Sequence, residues 1–405
     1  MRRVFTILAL VIVLGGIAVA GYFYFFGNTA SVVVAPSGDV TLPDAGVAPQ
    51  TPGEPTATTT IPTSSPTSVS ARLVKISSGP IVPGMVVNRR AATASSSVQT
   101  LISFIERQSG NVFSYDLSAG TLTRTSNRTI PGIQAAAWLP SAARAFVRYL
   151  SGSDFSTVNA YALSADGSLP AQAGDGFFLA QNLSDIAVSS TSILTLASGV
   201  NGSVASLARI DGTNSSTVFT TPLSDLRISF AGKSQYLAYT KASSALPGFA
   251  FLVDATGTFS RIAGPRNGLV ALASPSGTWV LISYTTNGAL QMELVNTATG
   301  EVTALPIATI AEKCVWTADD SAIYCGIPVD PPAGLNYPDD WYQGAVAFSD
   351  KIWRIQVSGR YAQFVLDFAQ EAASPLDATA LAVDSGNSTL VFINKNDGSL
   401  WSYEL

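Results

Sequence analysis

The stretch Pro328 to Gly344 gathers more chemistry than any other in this chain. It carries three aromatic rings, Tyr337, Trp341 and Tyr342, two adjacent carboxylates, Asp339 and Asp340, and the amide of Gln343, on a segment stiffened by proline. Rings of this kind stack on a sugar face or an apolar peptide side chain while carboxylates and amides bond to its polar groups. The same rings can instead bury themselves and pin the loop. Paired carboxylates also raise glycoside hydrolysis, but adjacent residues cannot flank a scissile bond, so Asp339 or Asp340 needs a distant partner such as Asp350 or Glu312.

Histidine is absent from all 405 residues. That removes Ser-His-Asp triads, Cys-His pairs, imidazole metal sites and imidazole acid–base catalysis together. No glycine-rich phosphate loop follows a strand, and no residue spacing calls for a cofactor or a metal. Asp319-Asp320 and Asn396-Asp397-Gly398 read as turns, because neither has the alternating acidic spacing of a calcium loop. The net charge is −5, with no basic patch for nucleic acid. Catalysis therefore ranks below binding as an expectation.

Cys314 and Cys325 are the only thiols. If Thr317 and Ala322 close a four-residue hairpin, Trp316 faces Ile323 and Cys314 faces Cys325. Opposed residues on antiparallel strands lie about 4.5–5.5 Å apart between Cα atoms, within disulfide range. The spacing predicts a disulfide in an oxidising compartment, the alternative being two small buried apolar residues.

What must position these groups is a repeat. Leu269 to Pro306 holds four short apolar runs, Ala271–Ala273, Trp279–Tyr284, Leu290–Asn296 and Val302–Leu305, separated by turn residues. The glycine of the last turn recurs at Gly120, Gly167, Gly212, Gly257, Gly300 and Gly359, with gaps of 47, 45, 45, 43 and 59 residues. Four strands at a period of 40–50 predict an all-β β-propeller. The final unit, Ala380–Asp384, Leu390–Asn394 and Leu400–Leu405, is one strand short, and Ala71–Ile76 lies one period before the first glycine. The expected fold is thus seven blades closed by an N-terminal strand, which removes an open sheet edge. The 59-residue gap places the Pro328–Gly344 surplus between the second and third strands of blade six. Such loops share a face with the blade-to-blade connections around the central channel.

Hairpins such as Trp138-Leu139-Pro140-Ser141, Ala273-Ser274-Pro275-Ser276-Gly277-Thr278-Trp279 and Val315-Trp316-Thr317-Ala318-Asp319-Asp320-Ser321 resemble those of TolB-type and WD-repeat-like propellers. The resemblance covers residues 71–405 and implies a ring shape and a habit of binding partners. It carries no catalytic residues.

Ahead of the propeller, Val4–Phe26 is an uncharged, mostly apolar run after Arg2 and Arg3, long enough at about 1.5 Å per residue to cross a bilayer as a helix. The positive flank sets the N-terminus in the cytoplasm. Ala18-Val19-Ala20 offers a cleaved signal peptide as the alternative, though the aromatic run Tyr22–Phe26 suits an interfacial belt. Residues 27–70 carry seven Pro, nine Thr and six Ser with no Lys, Arg or aromatic, the composition of a linker. The expectation is a single-pass, extracytoplasmic propeller (71–405), tethered through residues 1–26 and 27–70, that binds an envelope protein or glycan. A glycan-active enzyme and a structural spacer are the other readings.

Overall fold

The computed structural model describes residues 72–91, 98–126, 129–165, 176–372 and 374–405. The Val4–Phe26 run and the 27–70 linker lie outside them, as does Gly167. Among the described residues no helix is long and apolar enough to cross a membrane.

Seven four-stranded antiparallel sheets form the blades of a propeller. The first strands are Val86–Ala91, Ile133–Trp138, Leu183–Val188, Leu226–Ala231, Val270–Ala273, Cys314–Trp316 and Ala378–Val383. Second strands such as Trp279–Thr286 carry a fully buried central run, 280–283, because blades cover both their faces. Fourth strands form the rim, and Thr121–Arg124 is exposed at every residue. That gradient explains why the apolar runs shorten toward the end of each repeat.

The seventh blade is completed from the other end of the chain. Leu73–Lys75 pairs with Leu400–Glu404 in the register Leu73 to Tyr403, Val74 to Ser402 and Lys75 to Trp401. The strand lies within the Ala71–Ile76 segment expected to close the ring.

Turn chemistry follows the repeat. Gly120, Gly212, Gly257 and Gly300 all have positive φ, +64, +80, +83 and +71°, where a side chain would be strained. Blade six departs from this: the left-handed residue is Arg360, at φ +52°, rather than Gly359. The first strand of blade one starts at Val86. Gly84 is held at φ +107° so close to blade two that a Cβ would lie 1.9 Å from the Ala136 carbonyl oxygen. Its own carbonyl accepts a bond from Trp138 Nε1 at 3.2 Å, and Trp316 Nε1 makes the equivalent bond to the Leu272 carbonyl. These indoles stitch neighbouring blades, as filler between sheets should.

Cys314 and Cys325 face each other with Cα atoms 4.1 Å apart and form a disulfide, while Trp316 faces Ile323. The bond therefore ties the first two strands of blade six just beneath the long loop.

Candidate functional site

Residues 329–349 connect strands Ala322–Pro328 and Asp350–Gln356 of blade six. The loop reaches beyond its own blade to blades four, five and seven. The Tyr337 carbonyl accepts from Thr285 Oγ1 of blade five at 2.9 Å. Asp339 Oδ2 accepts from the backbone N–H and the hydroxyl of Ser244, at 2.9 and 2.6 Å, in the loop between the middle strands of blade four. Asp340 Oδ2 accepts from Asn336 N–H at 2.7 Å and so closes the start of a one-turn helix, Asp339–Tyr342. Two carboxylates in a first helical turn also meet the positive end of the local peptide dipoles. Both expected ligand carboxylates thus hold the loop in place.

Two of the three candidate rings are in the core. Tyr337 and Trp341 are 2% and 3% exposed, and both pack on Phe348. Trp341 donates through Nε1 to Asp377 Oδ2 at 2.9 Å and has the ammonium groups of Lys313 and Lys395 about its ring at 5.1 and 5.0 Å. These rings pin the loop, and neither is open to a ligand. Tyr342 and Gln343 remain exposed.

Beneath Trp341 lies a buried charge cluster. Lys313 Nζ donates to Asp350 Oδ2 at 2.7 Å and to the Ala378 carbonyl at 2.9 Å, and it contacts Asp377 Oδ1. All three side chains are fully buried. Burial pushes the Asp350 carboxyl up to about 6, against the pull of the Lys313 ammonium and with the added push of Asp377. A carboxyl with a raised folded-state pKa contributes stability that is complete below its unfolded value, near 3.8, and lost as pH rises through about 6. Asp350→Asn should abolish that loss. The variant is expected to gain on the parent by up to about 3 kcal/mol between pH 4 and pH 7 in urea melts. Parallel stability curves for the two proteins would refute the assignment.

Tyr342 leads toward the axis. Its hydroxyl bonds to Glu312, on the 3-10 turn Ala311–Lys313 that enters blade six. Glu312 is exposed to water yet crowded by protein, and this desolvation raises its pKa despite the Tyr342 bond and the nearby Arg227. The same charges involve Asp185, on the first strand of blade three, and Tyr239, on the second strand of blade four, whose phenol burial pushes well up. Arg148 joins from blade two. It donates to the Leu183 and Ser184 carbonyls, and burial lowers its pKa while Asp185 supports its charge. Arg227 Nη1 donates to the Ser184 carbonyl at 3.4 Å, and Asp185 Oδ2 accepts from Ile228 N–H at 3.0 Å.

First strands line the axis of a propeller, and these residues lie at the starts of first strands or the ends of second strands, so they share one mouth of the channel. The result is a polar hub of two guanidiniums, Arg148 and Arg227, two carboxylates, Asp185 and Glu312, and two phenols, Tyr239 and Tyr342. Forked guanidinium donors suit a carboxylate or a vicinal pair of hydroxyls, and the carboxylates accept from hydroxyl or amine groups. Sequence reasoning missed Arg148, Asp185, Arg227 and Tyr239. A signal existed: Leu183-Ser-Asp-Ile186 and Leu226-Arg-Ile228 place charges in innermost strands where blade five has only Val270-Ala-Leu-Ala273.

No family model matches the chain, and no curated protein matches it. Solved structures do. An oligogalacturonate lyase in complex with manganese aligns with a TM-score of 0.52 at 9% identity, covering 81% of this chain and 98% of that one. An oligogalacturonate lyase from Vibrio parahaemolyticus aligns at 0.51 and 8%, covering 80% and 98%. At such identities the likeness is one of fold, and the fold is a seven-bladed β-propeller.

Proposed function

We propose that this protein is a binding module of the cell envelope, held at the membrane by Val4–Phe26 and the 27–70 linker, whose propeller recognises a polar ligand at the channel mouth. The observation that carries the reading is the convergence of Arg148, Asp185, Arg227, Glu312 and Tyr342, from blades two, three, four and six, on one solvent-reached hub. A glycan or a peptide with both acidic and hydroxyl or amine groups satisfies that set. The run of apolar residues at the N-terminus and the Pro/Thr/Ser-rich linker, which has no Lys, Arg or aromatic residue, support the extracytoplasmic setting.

The manganese named with one structural neighbour does not fit this chain. It has no histidine, and among the described residues no three His, Cys, Asp or Glu side chains cluster to hold a metal. An enzymatic reading on Asp339 or Asp340 gains nothing from their positions, since each carboxylate is engaged in holding the loop.

The test is titration of the purified propeller with soluble cell-wall glycans and acidic peptides, against Arg227→Ala and Glu312→Ala. Removal of one charged hydrogen-bonding partner costs about 1.5–3 kcal/mol, so each variant should bind about tenfold more weakly or worse while melting like the parent. Undiminished binding by both variants would move the site elsewhere.

A further inference from the structure

The Lys313 cluster is built in a way that an ordinary buried ion pair does not need. One ammonium faces two carboxylates, so the site as ionised holds a net negative charge with every side chain fully buried. The walls are aromatic: Lys313 Nζ lies 5.1 Å from the Trp341 ring centroid and 5.2 Å from that of Phe348. The two carboxylates are held differently. Asp377 Oδ2 accepts from two donors, Trp341 Nε1–H and Phe348 N–H, both at 2.9 Å, while its Oδ1 touches Nζ. Asp350 Oδ2 accepts from Lys313 and from Ala378 N–H at 2.7 Å, and its Oδ1 is buried with no partner. An ionised oxygen left bare in the core is costly, whereas a neutral acid tolerates that place. Lys395, half-buried on the far side of Trp341, is the other charged group facing the cluster.

We propose that Lys313 and Asp377 condense to an intramolecular amide, joining the entry of blade six to the entry of blade seven, with Asp350 as the proton carrier. In this route Lys313 passes a proton to Asp350 Oδ2, which delivers it to Asp377 Oδ1. The freed nitrogen lone pair then attacks Asp377 Cγ. Charge develops on Oδ2, where the Trp341 and Phe348 N–H groups already point, as donors do in an oxyanion hole. A second proton follows the same route from nitrogen through Asp350 to Oδ1, the Cγ–Oδ1 bond breaks, and one water leaves. Nitrogen has lost two protons, the departing oxygen has gained both, and Asp350 ends as it began. Oδ2 becomes the amide oxygen with both of its hydrogen bonds kept.

Amide formation from free amine and acid is opposed by water. Here contact between the reacting groups supplies an effective concentration far above any attainable in solution, and full burial of the three side chains keeps bulk water from reversing the step. The product also removes two of the three buried charges and leaves Asp350 with its bond from Ala378 N–H.

Intact-mass measurement of the full chain, followed by tryptic digestion and tandem mass spectrometry, tests this directly. The protein is expected lighter than its sequence by one water beyond the two hydrogens of the disulfide. Trypsin should fail to cut after Lys313, and one branched peptide should join the Lys313 and Asp377 segments. Asp350→Asn, which keeps both reacting groups, should retain the full mass and yield linear peptides. A parent protein at full mass with cleavage after Lys313 overturns the proposal, whatever the variant does. A branched peptide undiminished in Asp350→Asn overturns the role given to Asp350.

Discussion

Lys313→Met lowers the unfolding free energy by about 3–5 kcal/mol in urea melts at neutral pH. Methionine fills nearly the same volume, so packing against Trp341 and Phe348 changes little and the loss is electrostatic. What remains are Asp350 and Asp377, both fully buried, with no cation between them. The Trp341 and Phe348 donors still serve Asp377, but nothing serves the Asp350 oxygen that Lys313 held. The direction is the same whether Lys313 acts as an ion or as one end of an amide. A compensating set decides the cause. Lys313→Met combined with Asp350→Asn and Asp377→Asn leaves no buried charge and should recover at least half of the loss, the non-additivity expected of one network. A triple variant as unstable as the single one would place the cost in packing instead.

The sequence made the ring legible because propeller blades are built from local pieces. Most repeats carry their own turn glycine at a spacing near 45 residues, and the repeat stays recognisable in blade six, where the gap is 59 residues and Arg360 takes the left-handed position beside Gly359. The Cys314–Cys325 pairing was legible for the same reason, since a hairpin register is set by residues a few positions apart. The location of the long loop followed from arithmetic on the period. Its behaviour did not, because Asp339 meets Ser244, 95 residues away, and Trp341 meets Asp377. Nothing local marks Asp339 as a tether rather than a ligand group. The hub was harder still: Arg148, Asp185, Arg227 and Glu312 come from four blades and are neighbours only once the ring has closed. Lys313 and Asp350 have residue types that usually belong on the surface, and only the tertiary structure assigns them to the core.

Compared with a parent propeller that begins at residue 71, further removal of residues 71–76 should open the ring and cost about 5 kcal/mol, together with a change in association state. The excised strand buries Leu73, worth roughly 2 kcal/mol by area. It also takes away the main-chain bonds of the Leu73–Lys75 ladder, the bond from Glu404 N–H to the Arg72 carbonyl at 3.0 Å, and that from Ile76 N–H to the Leu400 carbonyl at 2.8 Å. Net worth is about 1 kcal/mol for each such bond, which brings the sum near the stated figure. Arg72 over Tyr403 and Lys75 over Trp401 go with it, baring two aromatic side chains on the new edge. That edge, Leu400–Glu404, would present unpaired N–H and C=O groups, and open edges recruit strands from other molecules. Size-exclusion chromatography should therefore find dimers or larger species in the truncated protein and a single monomer peak in the parent. Leu73→Ala separates the two effects, because it removes side-chain packing but leaves the ladder intact. It should cost about 2–4 kcal/mol and stay monomeric. A truncated protein that melts with the parent and elutes as a monomer would mean that blade seven holds with three strands, and that the ring owes its closure to contacts between blades alone.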